Sequence, residues 1–255
     1  MDMQITPLMF AIICPMLFLA GLVDAIGGGG GLISLPAYLF AGLPVHTAIA
    51  TNKLSSACGT SLATGRFIRK GMVRFRLAAP SVLAAILGSS LGARLSLEIS
   101  ETVMKYILLG ILPTAAFFVL NRHMFRDEGK HTAVADRKTL AVCLVFAFLI
   151  GMYDGFYGPG TGTFLIIAFT VFARMTVGSA NAQAKVINLI SNITSLTVFL
   201  LNGQVLIPLG IVGAVCNMAG SWVGSGLAIT KGSKIVRPVI LLVLLLLLAK
   251  IIFDF

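Results

Sequence analysis

Two lysines lie inside apolar stretches, and each is followed at helical spacing by side chains that can form hydrogen bonds. In the second half of the chain the spacing is four, three, four and three residues, which is one face of a helix, and the residues are Asn181, Lys185, Asn188, Asn192 and Ser195. In the first half, Lys53 is followed by Ser56, Thr60 and Thr64. An ammonium group among neutral hydrogen-bonding groups suits an anion that carries several oxygen atoms.

The polar stripe has a second interpretation, because Asn, Ser and Thr also form hydrogen bonds between membrane helices. A lysine deep in an apolar segment is harder to explain by packing, since a buried charge needs a partner. We therefore predict a substrate site in which both lysines contact the anion. The predicted side chains are Asn52, Lys53, Ser56, Thr60, Asn181, Gln183, Lys185, Asn188 and Asn192.

Glycine-rich breaks precede both stripes, at residues 27–31 and 158–162. A helix that starts directly after such a break presents free N–H groups and the positive end of its dipole. This predicts further anion contacts, and the residues concerned are Gly28, Gly29, Gly30, Gly158, Gly160 and Thr161. Close helix packing is the alternative. It is the only role that we assign to Gly88, Gly92, Gly220 and Gly224.

Asp24 and Asp154 each end an apolar segment just before a glycine-rich break. Either carboxylate could take up a proton during coupled transport, or it could fix the turn by accepting backbone N–H bonds. From the predicted topology we expect Asp24 near the inner face and Asp154 near the outer face. If the aspartates pair elsewhere, the two lysines remain as unpaired positive charges, and a dianion should fit the site better than a monoanion.

The elements that position these residues form ten segments, five in each half. The first five are predicted at residues 8–26, 32–43, 46–65, 75–95 and 102–120. The second five are predicted at residues 139–157, 162–173, 177–201, 205–229 and 235–253. A helix that spans a bilayer needs about 20 apolar residues, so the second segment of each half is a half-helix joined to extended backbone.

The two halves repeat one another. Adding 130 to the number maps Gly21, Asp24, Gly28 and Gly30 onto glycine, aspartate, glycine and glycine, and adding 132 maps Lys53 onto Lys185. Chance matches are common in apolar sequence, but an aligned aspartate and an aligned lysine inside apolar segments are not. We predict a first transmembrane repeat at 1–120, a basic cytoplasmic linker at 121–138 and a second repeat at 139–255.

Basic residues in the loops predict how the repeats are oriented. The loop at 66–76 and the linker are rich in Lys and Arg, whereas the equivalent of the first loop, at 202–204, has no charge and the loop at 231–237 is basic. Basic loops lie on the cytoplasmic side, so equivalent loops lie on opposite sides. The prediction is an all-α polytopic membrane protein with two inverted repeats, an odd number of crossings in each, and both termini outside. Such repeats with interrupted helices are typical of secondary transporters.

Composition agrees with a membrane protein and excludes other classes. The chain is 58% hydrophobic and 11% charged, whereas soluble domains have about a quarter of their residues charged. The net charge of +10 resides between apolar segments, so we expect a lipid bilayer rather than nucleic acid as partner. The four cysteines have no metal-binding spacing, and we expect no metal and no cofactor. The N-terminus lacks the basic region and cleavage site of a signal peptide.

The chain resembles the sulfite exporter TauE/SafE family. The resemblance lies in the stretch Gly21 to Pro36 (GLVDAIGGGGGLISLP), the T-x-x-x-T-N-K of residues 47–53, the glycine-rich second copy, and the late G-S-x-x-G pair at 88–92 and 220–224. It implies a transporter rather than an enzyme, in the inner membrane of a bacterium, that exports sulfite, sulfonates or related anions. A second copy of the chain, forming a homodimer, is a further possible partner. The second copy departs from the first at Tyr157 and Pro159, so the copies can contribute unequally.

Three rival functions remain. An intramembrane aspartyl protease needs two carboxylates at one water molecule, and aspartates near opposite faces would not provide them. An anion channel differs from a transporter in flux saturation and proton dependence. A membrane scaffold without transport leaves the two duplicated lysines unexplained.

Overall fold

The computed structural model describes residues 6–100, 103, 137–239 and 242, and its regular elements there are α-helices. They are α1 (Pro7–Gly27), α2 (Gly31–Phe40), α3 (Val45–Arg69), α4 (Phe75–Glu98), α5 (Arg137–Phe156), α6 (Thr161–Val171), α7 (Val177–Leu201) and α8 (Ile207–Lys231). The predicted all-α fold is confirmed. The predicted bounds of these eight segments are within four residues of the observed ones. The segment at 102–120 and most of the linker lie outside the described residues. Of the last segment, the structure describes a helical start at 233–239.

Five of these helices are long and apolar enough to cross a membrane: α1, α4, α5, α7 and α8. Helix α3 is as long as α7, but it is not one of the five because it is more polar. Many of its polar side chains face the protein interior. Helices α2 and α6 have only 10 and 11 residues. At about 1.5 Å per residue each covers roughly half of the ~30 Å hydrocarbon core. Neither helix is long enough to cross by itself, as predicted for a half-helix. That each of these segments crosses together with its extended backbone stays a prediction.

Glycines allow α1 to lie against α8 and α4 against α5. A Cβ atom on Gly220 would collide with the backbone of Phe18 and Leu22, and one on Gly88 would collide with Phe148 and Met152. These two contacts are equivalent under the repeat numbering. The packing role predicted for these glycines therefore fits the structure, and in both halves it lets helix backbones approach closely.

Contacts along the helices give their relative directions. Along α3 and α8 the contacts advance together, from Thr51 with Leu206 to Arg66 with Trp222, so the two helices run parallel. Glycine contacts show that α1 also runs parallel to α8 and that α5 runs parallel to α4. Contacts between α3 and α7 run in opposite directions, from Lys53, which shares the Asp154 carboxylate with Ser191, to Thr64, which donates to the Lys185 carbonyl. The equivalent helices α3 and α7 therefore point in opposite directions. An inverted membrane topology stays a prediction, which these directions support.

The two glycine-rich breaks meet inside the protein. The Thr163 hydroxyl donates to the Gly27 carbonyl over 2.6 Å, and the Thr163 N–H donates to the Gly28 carbonyl over 3.2 Å. Gly28 has a φ of +80° and Gly158 one of +99°, a conformation that glycine adopts without strain. This junction brings the start of α2 and the start of α6 to the same place.

Candidate functional site

A small cavity lies at this junction, and five helices and both glycine-rich breaks contribute to its wall. It has about 280 Å³ of empty space, counting its opening. Its lining combines charged, amide, hydroxyl and glycine groups from both halves of the chain: Asp24, Gly28, Gly31, Asn52, Lys53, Ser56, Asp154, Gly158, Asn188 and Asn192. Nine of these ten were predicted site residues, and the exception is Gly31.

The first ion pair of the site joins Lys53 of α3 to Asp154 of α5. Lys53 Nζ lies 2.9 Å from Asp154 Oδ2, and the two side chains are 2% and 3% exposed. Two hydroxyls also donate to the same carboxylate, Thr161 to Oδ1 over 2.8 Å and Ser191 to Oδ2 over 2.6 Å. A Cβ atom on Gly158 would lie 2.8 Å from Lys53 Nζ, so this glycine leaves the space that the ion pair occupies.

The second ion pair joins Lys185 of α7 to Asp24 of α1. Lys185 Nζ lies 2.7 Å from Asp24 Oδ2, and it also donates to the Asp24 carbonyl. The lysine side chain is fully buried, whereas that of the aspartate is 16% exposed. Each ion pair thus takes its lysine from one half of the chain and its aspartate from the other.

These pairs correct two expectations. The hypothesis of two unpaired positive charges is wrong in this conformation, because Asp154 neutralises Lys53 and Asp24 neutralises Lys185. The preference for a dianion loses its basis with it. The expectation that Asp24 and Asp154 lie near opposite faces is also wrong, because both line one cavity. Their separation therefore cannot be the reason for rejecting a protease, although each carboxylate is engaged by an ammonium group.

Neutral side chains complete the cavity wall. Ser56 Oγ donates to Asn52 Oδ1 over 3.4 Å, and Asn192 Nδ2 donates to Asn188 Oδ1 over 2.5 Å. Both bonds occupy amide oxygens, so they orient the amide N–H₂ groups of Asn52 and Asn188 as donors toward other partners. Such an arrangement favours a ligand that accepts hydrogen bonds.

Other predicted residues are buried nearby but do not line the cavity. Asn181 donates to the Ile26 carbonyl over 3.0 Å, which secures the end of α1. Gln183 bonds to both backbone groups of Arg74, and Thr60 is buried within the helix bundle. These three belong to helix packing in this structure. The remaining predicted site residues do not line the cavity but are next to lining residues in the chain or bonded to them: Gly29, Gly30, Gly160, Thr161 and Lys185.

Sequence reasoning missed three residues, Gly31, Thr163 and Ser191. Ser191 follows Asn188 by three positions, so the helical spacing could have identified it. Gly31 is the last glycine of a break that was already selected. Thr163 has no comparable signal, because its role is to join the two breaks.

Metal binding and disulfides receive no support from the described residues. In the described ranges there is no group of three or more His, Cys, Asp or Glu side chains that could hold a metal ion. The four cysteines, at positions 14, 58, 143 and 216, are free thiols.

Comparison with known proteins gives consistent matches over nearly the whole chain. The family model described as "Sulfite exporter TauE/SafE" matches residues 13–251. The chain is 35% identical over 237 residues to "Probable membrane transporter protein ORF9" of Sinorhizobium sp, covering 93% of this chain and 90% of that protein. It is 33% identical over 252 residues to "Probable membrane transporter protein YfcA" of Escherichia coli K12, covering 98% and 92%. No solved structure gave a significant match.

Proposed function

Because the chain belongs to the sulfite exporter TauE/SafE family, we propose that it is a secondary transporter that exports a small sulfur-containing oxyanion. Sulfite and simple sulfonates are the proposed cargo. The protein is a membrane transporter of this family with several membrane-spanning helices. The cargo, the mechanism and the bacterial inner membrane as its location are the proposed part.

The observation that carries the proposal is the central cavity between the two breaks. Its lining includes the ammonium-bearing side chain of Lys53 and the amide groups of Asn52 and Asn188. Ammonium and amide N–H groups together suit an anion with several acceptor oxygens. A site at the meeting point of two interrupted helices is typical of transporters built from inverted repeats, and the opposite directions of equivalent helices support such a mechanism of alternating access.

The charges of the site restrict how an anion can enter. With two lysines and two aspartates the empty site has no net charge. Adding an anion alone would leave an uncompensated negative charge buried within the membrane-spanning helices, which is costly. Binding together with a proton would preserve neutrality. A proton-coupled cycle therefore accounts for both ion pairs.

Flux measurements test the proposal directly. Purified protein is reconstituted in liposomes loaded with labelled sulfite, a labelled alkyl sulfonate or labelled acetate, and efflux is measured against internal concentration. We expect saturable efflux of the sulfur oxyanions and little efflux of acetate. Efflux that rises linearly without saturation would indicate a channel, and equal rates with protein-free liposomes would contradict transport of these anions.

An asparagine pair supplies matched variants. Asn188→Ala removes an amide from the cavity wall, whereas Asn202→Ala changes an exposed amide at the end of the same helix. Asn188→Ala should raise the half-saturating sulfite concentration, and Asn202→Ala should leave it unchanged. An equal effect of the two substitutions on the half-saturating concentration would show that the cavity is not part of the transport pathway.

A further inference from the structure

The two ion pairs occupy equivalent positions in the repeats, but their surroundings differ. Asp154 receives a lysine and two hydroxyl groups, and its side chain is 3% exposed. For the Asp24 side chain, the bonding partner within the described ranges is Lys185, and 16% of that side chain is exposed. One carboxylate is therefore enclosed by donors, while its counterpart has room on the cavity side.

The sequence accounts for the different number of hydroxyl donors around the two aspartates. The hydroxyls that hold Asp154 come from Thr161 and Ser191, and the equivalent positions in the first repeat are Gly31 and Gly59. Those glycines cannot be exchanged for hydroxyl residues without rearrangement. A Cβ atom on Gly31 would lie 2.9 Å from the Cα of Pro159, and one on Gly59 would lie 2.8 Å from Ser221 Oγ. The packing itself keeps hydroxyl donors away from Asp24.

Asp154 is surrounded by the Lys53 ammonium group and two hydroxyls, and only 3% of its side chain is exposed, so a proton from solution has little access to it. The side chain of Asp24 is bonded to Lys185, lines the cavity and is 16% exposed, so a proton from solution can reach it there. A proton bound to Asp24 breaks its ion pair with Lys185 and leaves the positive charge of that lysine uncompensated next to the cavity.

We propose, on the basis of the proposed transport function, that Asp24 is the residue that binds the coupled proton and that the Lys53–Asp154 pair is a fixed anchor. In the loading step one proton from solution adds to the Asp24 carboxylate, and the ammonium group of Lys185 becomes the counter-charge of a monoanion. The loaded site then has the same net charge as the empty one. Release of the anion expels the proton and restores the ion pair between Lys185 and Asp24.

The charged groups around Asp24 agree with this assignment. Lys185 of α7 contacts it directly, and Lys53 of α3 and Asp154 of α5 line the same cavity. Helix α6 contains no ionisable side chain, and the ionisable group of α2 is the Tyr38 phenol, which donates to Ser55 Oγ. The single charged residue of α8, Lys231, is the last residue of that helix. Lys185 is therefore the charged group in direct contact with the Asp24 carboxylate.

The test compares two transport modes in the same liposomes, with labelled sulfite as probe. Exchange is measured at equal pH on both sides, and driven flux is measured with a pH gradient. Asp24→Asn should keep exchange at half of the wild-type rate or more and lose driven flux by at least tenfold. Asp154→Asn should lose both modes together, because it loosens the anchor. Driven flux at the wild-type level in Asp24→Asn, or selective loss of driven flux in Asp154→Asn, would overturn the assignment.

A second pair of variants applies if an asparagine variant does not fold. Asp24→Glu and Asp154→Glu both keep a titratable group but move it. We expect Asp24→Glu to shift the pH midpoint of driven flux and Asp154→Glu to lower the rate without a shift. A shift in Asp154→Glu alone would overturn the assignment. A wild-type protein that moves no sulfite in either mode would contradict the proposed function itself. A wild-type protein that transports normally, together with an Asp24→Asn variant that keeps proton-driven flux, would contradict only the assignment of Asp24.

Discussion

Removal of Lys53 gives the most direct measure of what the buried charges contribute. Lys53→Met keeps an apolar side chain of similar length but leaves the Asp154 carboxylate, 3% exposed, without its ammonium partner. Breaking a buried ion pair by removing one partner costs about 3–5 kcal/mol. The hydroxyls of Thr161 and Ser191 still solvate the carboxylate, so we expect the lower end, about 3 kcal/mol. At about 2–4 °C per kcal/mol for a chain of this size, the apparent melting temperature should fall by roughly 6–12 °C.

The assay is thermal unfolding of the purified protein in detergent, with Lys70→Met as the matched control. Lys70 is an exposed lysine directly after α3, so its substitution should have almost no effect. The double variant Lys53→Met, Asp154→Asn removes the orphaned charge and should recover at least half of the loss. If Lys53→Met melts within about 2 °C of Lys70→Met, or if the double variant melts below both single ones, the ion pair is not the source of stability that we infer.

The remaining predictions concern topology and packing. Reporter fusions after Glu98 and after Gly203 should both read outside and a fusion at Gly232 should read inside, as loop charge predicts; an inside signal at Gly203 would show parallel repeats. Gly59→Ala should destabilise the protein by about 1–3 kcal/mol through overpacking, since its Cβ would meet the side chains of α8, whereas Gly65→Ala in the same helix meets nothing within 4 Å and should be neutral or slightly stabilising. Equal melting temperatures for these two alanine variants would argue against the close contact of α3 with α8.

Much of the fold could be predicted because hydropathy and the positions of glycines determine where each helix begins and ends. The apolar length of each segment fixed the helix bounds, and the breaks at 27–31 and 158–162 separated the short helices from the long ones. Helical spacing predicted that Asn188 and Asn192 share one face of α7, and the repeat placed Lys53 at the position equivalent to Lys185 on that face.

The ion pairing could not be predicted in the same way. Lys53 and Asp154 are 101 residues apart, and Lys185 and Asp24 are 161 residues apart. Sequence spacing gives no information about which carboxylate meets which ammonium group, and repeat symmetry allows pairing within a half as well as between halves. The same limit explains Asn181 and Gln183: they share the helix with the cavity residues, but their neighbours are the end of α1 and the backbone at Arg74.

The exchange of charges between halves has a consequence for biosynthesis. Asp24 and Lys53 enter the membrane with the first half of the chain, before their partners Lys185 and Asp154 have been made. A lysine at the centre of an inserted helix costs roughly 2.5–3.5 kcal/mol on the insertion scale, and the nascent first half carries Lys53 and Asp24 before either has its final partner. Its α1 and α3 reach their final stability only when the second half has been inserted. The charges of the first half are therefore neutralised only by Asp154 and Lys185, which are synthesised more than a hundred residues later.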